Sequence, residues 1–138
     1  MKNTADLVGR ILLGLFFFYE AIDTMVFFDQ TRETLSSYGI EFMQDWLIVF
    51  SIIILLLGAV MVIIGYYASI GALLLFIYWF IFTMVVYSFW NEPVDEKTLT
   101  IKFFMRNMAL CGGLLILVAN GAKEWSVKRI LHVMRLPK

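Results

Sequence analysis

Two carboxylates, Glu20 and Asp23, stand three residues apart in "FFFYEAID" (16–23), directly after a run of aromatic residues. A second polar stretch, "MRNMALCGG" (105–113), sets Arg106 and Asn107 inside an equally apolar run. A carboxylate opposite an arginine in such surroundings can form an ion pair, hold a proton or bind a polar ligand. A lone charge at the centre of a bilayer costs about 2.5–3.5 kcal/mol on insertion scales and less towards the interface. Pairing Arg106 with Glu20, Asp23 or both would remove much of that cost. A third intramembrane charge, Arg10, lies nearer the start of the chain and is expected at the inner side.

Other chemistries find little support in the residue types. Cys111 is the one cysteine, so no intramolecular disulfide or CxxC relay is available. His132 is the one histidine, which leaves no pair for haem, and no His/Cys cluster has metal-ligand spacing. No glycine-rich loop resembles a phosphate cradle. No metal and no cofactor are expected in the chain itself. Redox chemistry, if it occurs here, would use a diffusible quinone or a partner's cofactor.

The elements that must position these residues follow from composition. Of 138 residues 62% are hydrophobic and 16% charged, and the formal net charge is zero. The mean hydropathy is +0.85. A soluble domain of this size could not cover its surface with so few charges. Four apolar runs, 7–28, 46–65, 68–90 and 103–122, are long enough to cross a ~30 Å hydrocarbon core as helices. None shows the alternation of a barrel strand. The expected fold is all-α, an integral membrane four-helix bundle with antiparallel neighbours. The first span is expected to be retained rather than cleaved, because it is long for a signal core and carries Glu20.

Charge sets the orientation. The segment after Ala122 carries Lys123, Lys128, Arg129, Arg135 and Lys138 against Glu124. The 29–45 connection carries Asp29, Glu33, Glu41 and Asp45 against Arg32. Both termini are therefore expected in the cytoplasm, with the acidic connection outside. Residues 123–138 place Val127, Ile130, Leu131 and Met134 at helical spacing, which suits a basic amphipathic tail on anionic lipid. A short surface helix is expected over 31–37, broken at Gly39.

On this frame Glu20 lies about 20 Å along the first span at 1.5 Å per residue, and Arg106 about 5 Å below the outer boundary. The expected inward stripes are Gly9, Leu13, Phe16, Glu20 and Asp23 on the first span and Arg106, Ala109, Gly113, Leu117 and Asn120 on the fourth. Ala109 and Gly113 form a small-xxx-small pair for close helix packing. Tyr87 and Trp90 end the third span at the level of Arg106. The set Glu20, Asp23, Arg106, Asn107, Tyr87 and Trp90 thus forms either a packing network or the lining of an outer-side pocket, and the residues leave both open.

The segments "LVGRILLGLFFFYEAIDTM" (7–25), "YGI" (38–40), "LLLGAVMVIIGYYASIGALLL" (55–75), "SFWN" (88–91) and "FFMRNMALCGGLLIL" (103–117) resemble the DoxX family. These are small four-helix bacterial membrane proteins, some linked to quinone-reducing oxidoreductases of sulfur compounds. The resemblance implies an inner-membrane, multi-pass protein. Its partners would be the lipid bilayer and other membrane subunits or further copies of itself, with no nucleic acid, and a quinone or lipid would be its ligand class. The chain departs from the family at Ser88, where a histidine is frequent, near Ile54, where an acid is frequent, and near Ala21 and Thr24. Without that histidine and acid, expectation moves from an enzyme towards an accessory or anchoring subunit. The alternative is a small proton-coupled transporter using Glu20, as in small multidrug-resistance proteins.

Overall fold

The computed structural model describes residues 2–90 and 94–122, and the basic tail at 123–138 and His132 lie outside them. The described residues are all-helical: α1 Lys2–Val26, α2 Phe28–Ser37, α3 Gln44–Ile64, α4 Ala68–Val86 and α5 Val94–Asn120. Gln44–Ile64, Ala68–Val86 and Lys97–Asn120 are each long and apolar enough to cross a membrane alone. The α1 helix meets that description only together with α2, which turns away from it by 89°. The reason is chemical: Asp6, Arg10, Glu20 and Asp23 all lie within α1.

Helix ends follow local chemistry. Gly65 at φ 75° closes α3 in the left-handed region, and its N–H donates to the Met61 carbonyl at 3.0 Å. A side chain is disfavoured there, and "GYYAS" (65–69) forms the tight turn between α3 and α4. The surface helix ends before Gly39 at φ 77°, as expected, but begins at Phe28 rather than at 31. The last helix begins at Val94, where the sequence had suggested a connection to 102.

The packing order is α1 on α3, α3 on α4 and α4 on α5, while α1 and α5 meet at few points. Glycines set the close crossings. A Cβ on Gly14 would stand 2.2 Å from Ile63 Cγ1 and 3.2 Å from the Ala59 carbonyl. One on Gly58 would stand 2.5 Å from Leu75 Cγ, and one on Gly71 2.7 Å from Met61 Cβ and 3.1 Å from the Gly58 carbonyl. Helix backbones approach this closely in membranes because lipid offers no hydrophobic drive, so contact area must supply the attraction. The core is Phe17, Ala21, Leu55, Ala59, Val62, Ala72, Leu75, Trp79, Cys111, Leu114 and Leu117.

The expected Ala109/Gly113 close contact is not where the helices touch. Ala109 is exposed, and a Cβ on Gly113 would meet Leu13 at an ordinary 3.7 Å. The inward face of α5 is instead Asn107, Cys111, Leu114 and Leu117, one residue round from the expected stripe.

Candidate functional site

The aromatic run of α1 packs on Trp79. Phe16 and Phe17 meet its ring edge-on at 5.5 and 5.3 Å, and Phe82 stacks on it at 5.0 Å. Trp79 was not among the candidate residues read from the sequence. The Trp79 indole N–H is buried without a hydrogen-bond partner among the described residues. Thr83, one turn further on, donates its hydroxyl to the Trp79 carbonyl at 2.7 Å.

Contacts across α1 and α5 fix the levels. Leu13 stands beside Gly113. Glu20 lies seven residues beyond Leu13 and Arg106 seven before Gly113, so each is about 10 Å further towards the end where α1 closes, at 1.5 Å per residue. The expected shared level therefore holds, but the faces differ. Arg106 is exposed, and its guanidinium carbon lies 4.9 Å from the centre of the Phe103 ring. A cation over a ring face is attracted by the ring quadrupole. Among the described residues no carboxylate lies within ion-pairing distance of Arg106, so the expected pair with Glu20 or Asp23 is not formed. The reason is the rotation of α5, which turns Asn107 inward and Arg106 out.

Asn107 is fully buried, and neither its amide nitrogen nor its oxygen has a hydrogen-bond partner among the described residues. Such a side chain offers two donors and an acceptor. Glu20 and Asp23 are half-buried, with both Asp23 and Arg106 in Coulombic reach of Glu20. Tyr87 is half-buried too, with its ring 5.7 Å from Phe103 and Glu20 in electrostatic reach. Trp90 belongs to a separate cluster, 5.2 Å from Phe89 and 6.3 Å from Phe104, and is exposed. The half of the bundle nearer the end of α1 thus holds Glu20, Asp23, Tyr87 and Asn107 at similar levels, with Trp90 at its rim.

A second polar group lies at the opposite end. Arg10, 1% exposed, donates from Nε to Asp6 Oδ2 at 3.1 Å and from Nη1 towards the Val62 carbonyl at 3.5 Å. The i,i+4 spacing puts both side chains on one helix face. Sequence reading placed Arg10 at this end but missed Asp6, although the spacing was visible. Beside this pair, α1 and α5 part to leave a groove of about 390 Å³, lined by Ala5, Asp6, Gly9, Arg10, Leu13, Gly113, Ile116, Leu117 and Asn120. No group of three metal-capable side chains occurs among the described residues.

The DoxX family model matches residues 5–88, more than half of the chain. This chain belongs to the DoxX family. The match runs from the start of the Asp6–Arg10 pair to Ser88 and takes in Glu20, Asp23, Trp79 and Tyr87. Arg106, Asn107 and the small residues of α5 lie beyond it, so the DoxX resemblance noted in 103–117 stands outside the matched region. No curated protein and no solved structure matches the chain. It is a DoxX membrane protein with two polar centres, one at each end of the α1–α5 seam.

Proposed function

We propose that this DoxX protein is a non-catalytic accessory or anchoring subunit of a larger membrane complex. The observation that carries this reading is the outward face of α5. Ala109 and Gly112 are exposed there, between Met105 and Ile116, which are 63% and 66% exposed. A Cβ on Gly112 would meet nothing within 4 Å, so packing inside the chain gives no reason for glycine at this position. A small, open helix face lets the helix of a partner, or of a second copy, approach closely. A redox complex that uses quinone is the partner class suggested by the family resemblance, with the cofactor held by the partner or diffusing in the membrane. The setting we infer is the bacterial inner membrane, with four crossings and both termini cytoplasmic. The acidic 29–45 connection and the basic 123–138 segment support that orientation. The test is native electrophoresis of the gently solubilised full chain. A migration well above the monomer with co-purifying membrane subunits supports the reading; a bare monomer with no partner opposes it.

A second reading, proton-coupled transport, is favoured by one observation. Glu20 is half-buried beside Asp23, with no cation at ion-pairing distance among the described residues. Intramembrane acids placed in this way serve as proton carriers in transporters. Substrate-driven proton flux in liposomes that disappears in Glu20→Gln would favour transport over the accessory role.

A further inference from the structure

We infer that α2 is a hinged lid over the end of the bundle where α1 closes, and that its opening controls polar access to Glu20. The helix has the reach for this. Its ten residues span about 15 Å, and neighbouring helix axes stand about 8–10 Å apart, so α2 can bridge from α1 past α3 to α4. It begins two residues after α1 ends, and Tyr38, directly behind it, donates its hydroxyl to the Val86 carbonyl at 2.9 Å. Val86 closes α4, so its carbonyl accepts from no N–H of its own helix. Phe28, Thr31, Arg32 and Leu35 are half-buried and the other positions of α2 exposed. That is the i, i+3, i+4, i+7 stripe of a helix resting one face on the bundle.

Tyr87 connects the lid to the carboxylate. Tyr38 and Glu20 both lie within its electrostatic reach, one from the lid and the other from within the bundle. Glu20 is half-buried and stands eight residues before Phe28, about 12 Å along the axis of α1.

What holds the lid down is polar and exposed. No residue of α2 is buried. It is tied by Arg32 to Asp45 at 2.9 Å, by the Gln44 amide to the Ser36 hydroxyl at 2.8 Å, and by Tyr38 to Val86, all at exposed positions. Such ties add little net stability, and segments without buried apolar contacts are the first to open. Both ends can hinge. The chain turns by 89° between α1 and α2, and the return to α3 passes through Gly39 at φ 77° and Met43 at φ 54°. Met43 holds a side chain in the left-handed region, the kind of strain that collects at switch segments. Access to Glu20 matters to transport and to a docked partner alike, so the lid stands whichever of those two readings holds.

The test is thiol modification of the full chain in nanodiscs by a membrane-impermeant thiosulfonate, with Cys111→Ala and either Glu20→Cys or Glu33→Cys. Glu33 is exposed on the lid and reports the reagent alone. Position 20 should react about tenfold or more slowly than position 33, because modification follows the open population when opening is fast. Relative to position 33, Tyr38→Phe should quicken position 20 about threefold, and Tyr38→Phe with Arg32→Gln about tenfold. Spin labels at Glu33→Cys and Leu73→Cys leave Glu20 in place and report the lid itself, since Leu73 is exposed on α4. Their distance distribution should gain a longer component in the same two variants. Circular dichroism confirms that each variant is folded. An unchanged ratio of rates in the folded variants, a position 20 that already reacts as fast as position 33, or a single unchanged distance in the double variant would each overturn the lid.

Discussion

Arg10 and Arg106 carry the same charge in similar apolar runs, yet the fold treats them in opposite ways. Arg10 is sealed against Asp6 and the Val62 carbonyl, while Arg106 lies outward over Phe103. Removing one partner of a buried pair strands the other charge, whereas removing both leaves an apolar contact. Asp6→Asn should therefore destabilise the protein by about 3 kcal/mol, and Asp6→Asn combined with Arg10→Met should recover most of it. Chemical unfolding in mixed micelles, taken as a double-mutant cycle, measures this. Asn107 makes the opposite case. A buried amide without partners among the described residues costs about 1–3 kcal/mol of desolvation, so Asn107→Leu should raise the thermal midpoint. A lowered midpoint with intact helicity would mean that the amide has partners that its protein neighbours do not reveal.

At the scale of the helices, what could be read from the sequence was the all-helical class and the approximate extent of the apolar helices. What could not be read was which way each helix faces. The α3, α4 and α5 helices are apolar nearly all round, so periodicity does not single out an inward stripe as it would on a soluble amphipathic helix. That is why Arg106, Ala109 and Asn120 were expected inside and lie outside, and why Asn107 and Trp79 carry more of the interior than expected. Relative level along the helices was legible where rotation was not, because rise per residue is fixed while the choice of face depends on glycine contacts in three dimensions. Those contacts give a direct contrast. In Gly71→Ala the new methyl meets Met61 Cβ and the Gly58 carbonyl, neither of which is a flexible side-chain end. It should cost about 1–3 kcal/mol by overpacking. Gly9→Ala meets nothing and should be neutral, or stabilising by up to about 1 kcal/mol through helix propensity. Thermal unfolding of the two variants side by side decides whether the α3–α4 crossing is as tight as described.

The α2 helix turns 89° from α1 and is tied to the start of α3, with Arg32 Nε donating to Asp45 at 2.9 Å and Gln44 donating to Ser36 and to the Ile40 carbonyl. That tie keeps the acidic connection as one polar cap on the side where α1 ends. Single cysteines at 41 and 138 in a Cys111→Ala background should react with an impermeant reagent from outside at 41 and only after lysis at 138. The reverse pattern would invert the topology. The central claim, that this DoxX protein works by docking to other membrane subunits, rests on the outward small residues of α5. Native electrophoresis of Ala109→Leu/Gly112→Leu against wild type tests it most directly. Both positions face away from the bundle, so the variant should keep its helicity and thermal midpoint while the larger complex dissociates to the single chain. A double variant that still migrates in the same complex, with the same co-purifying subunits, would contradict it.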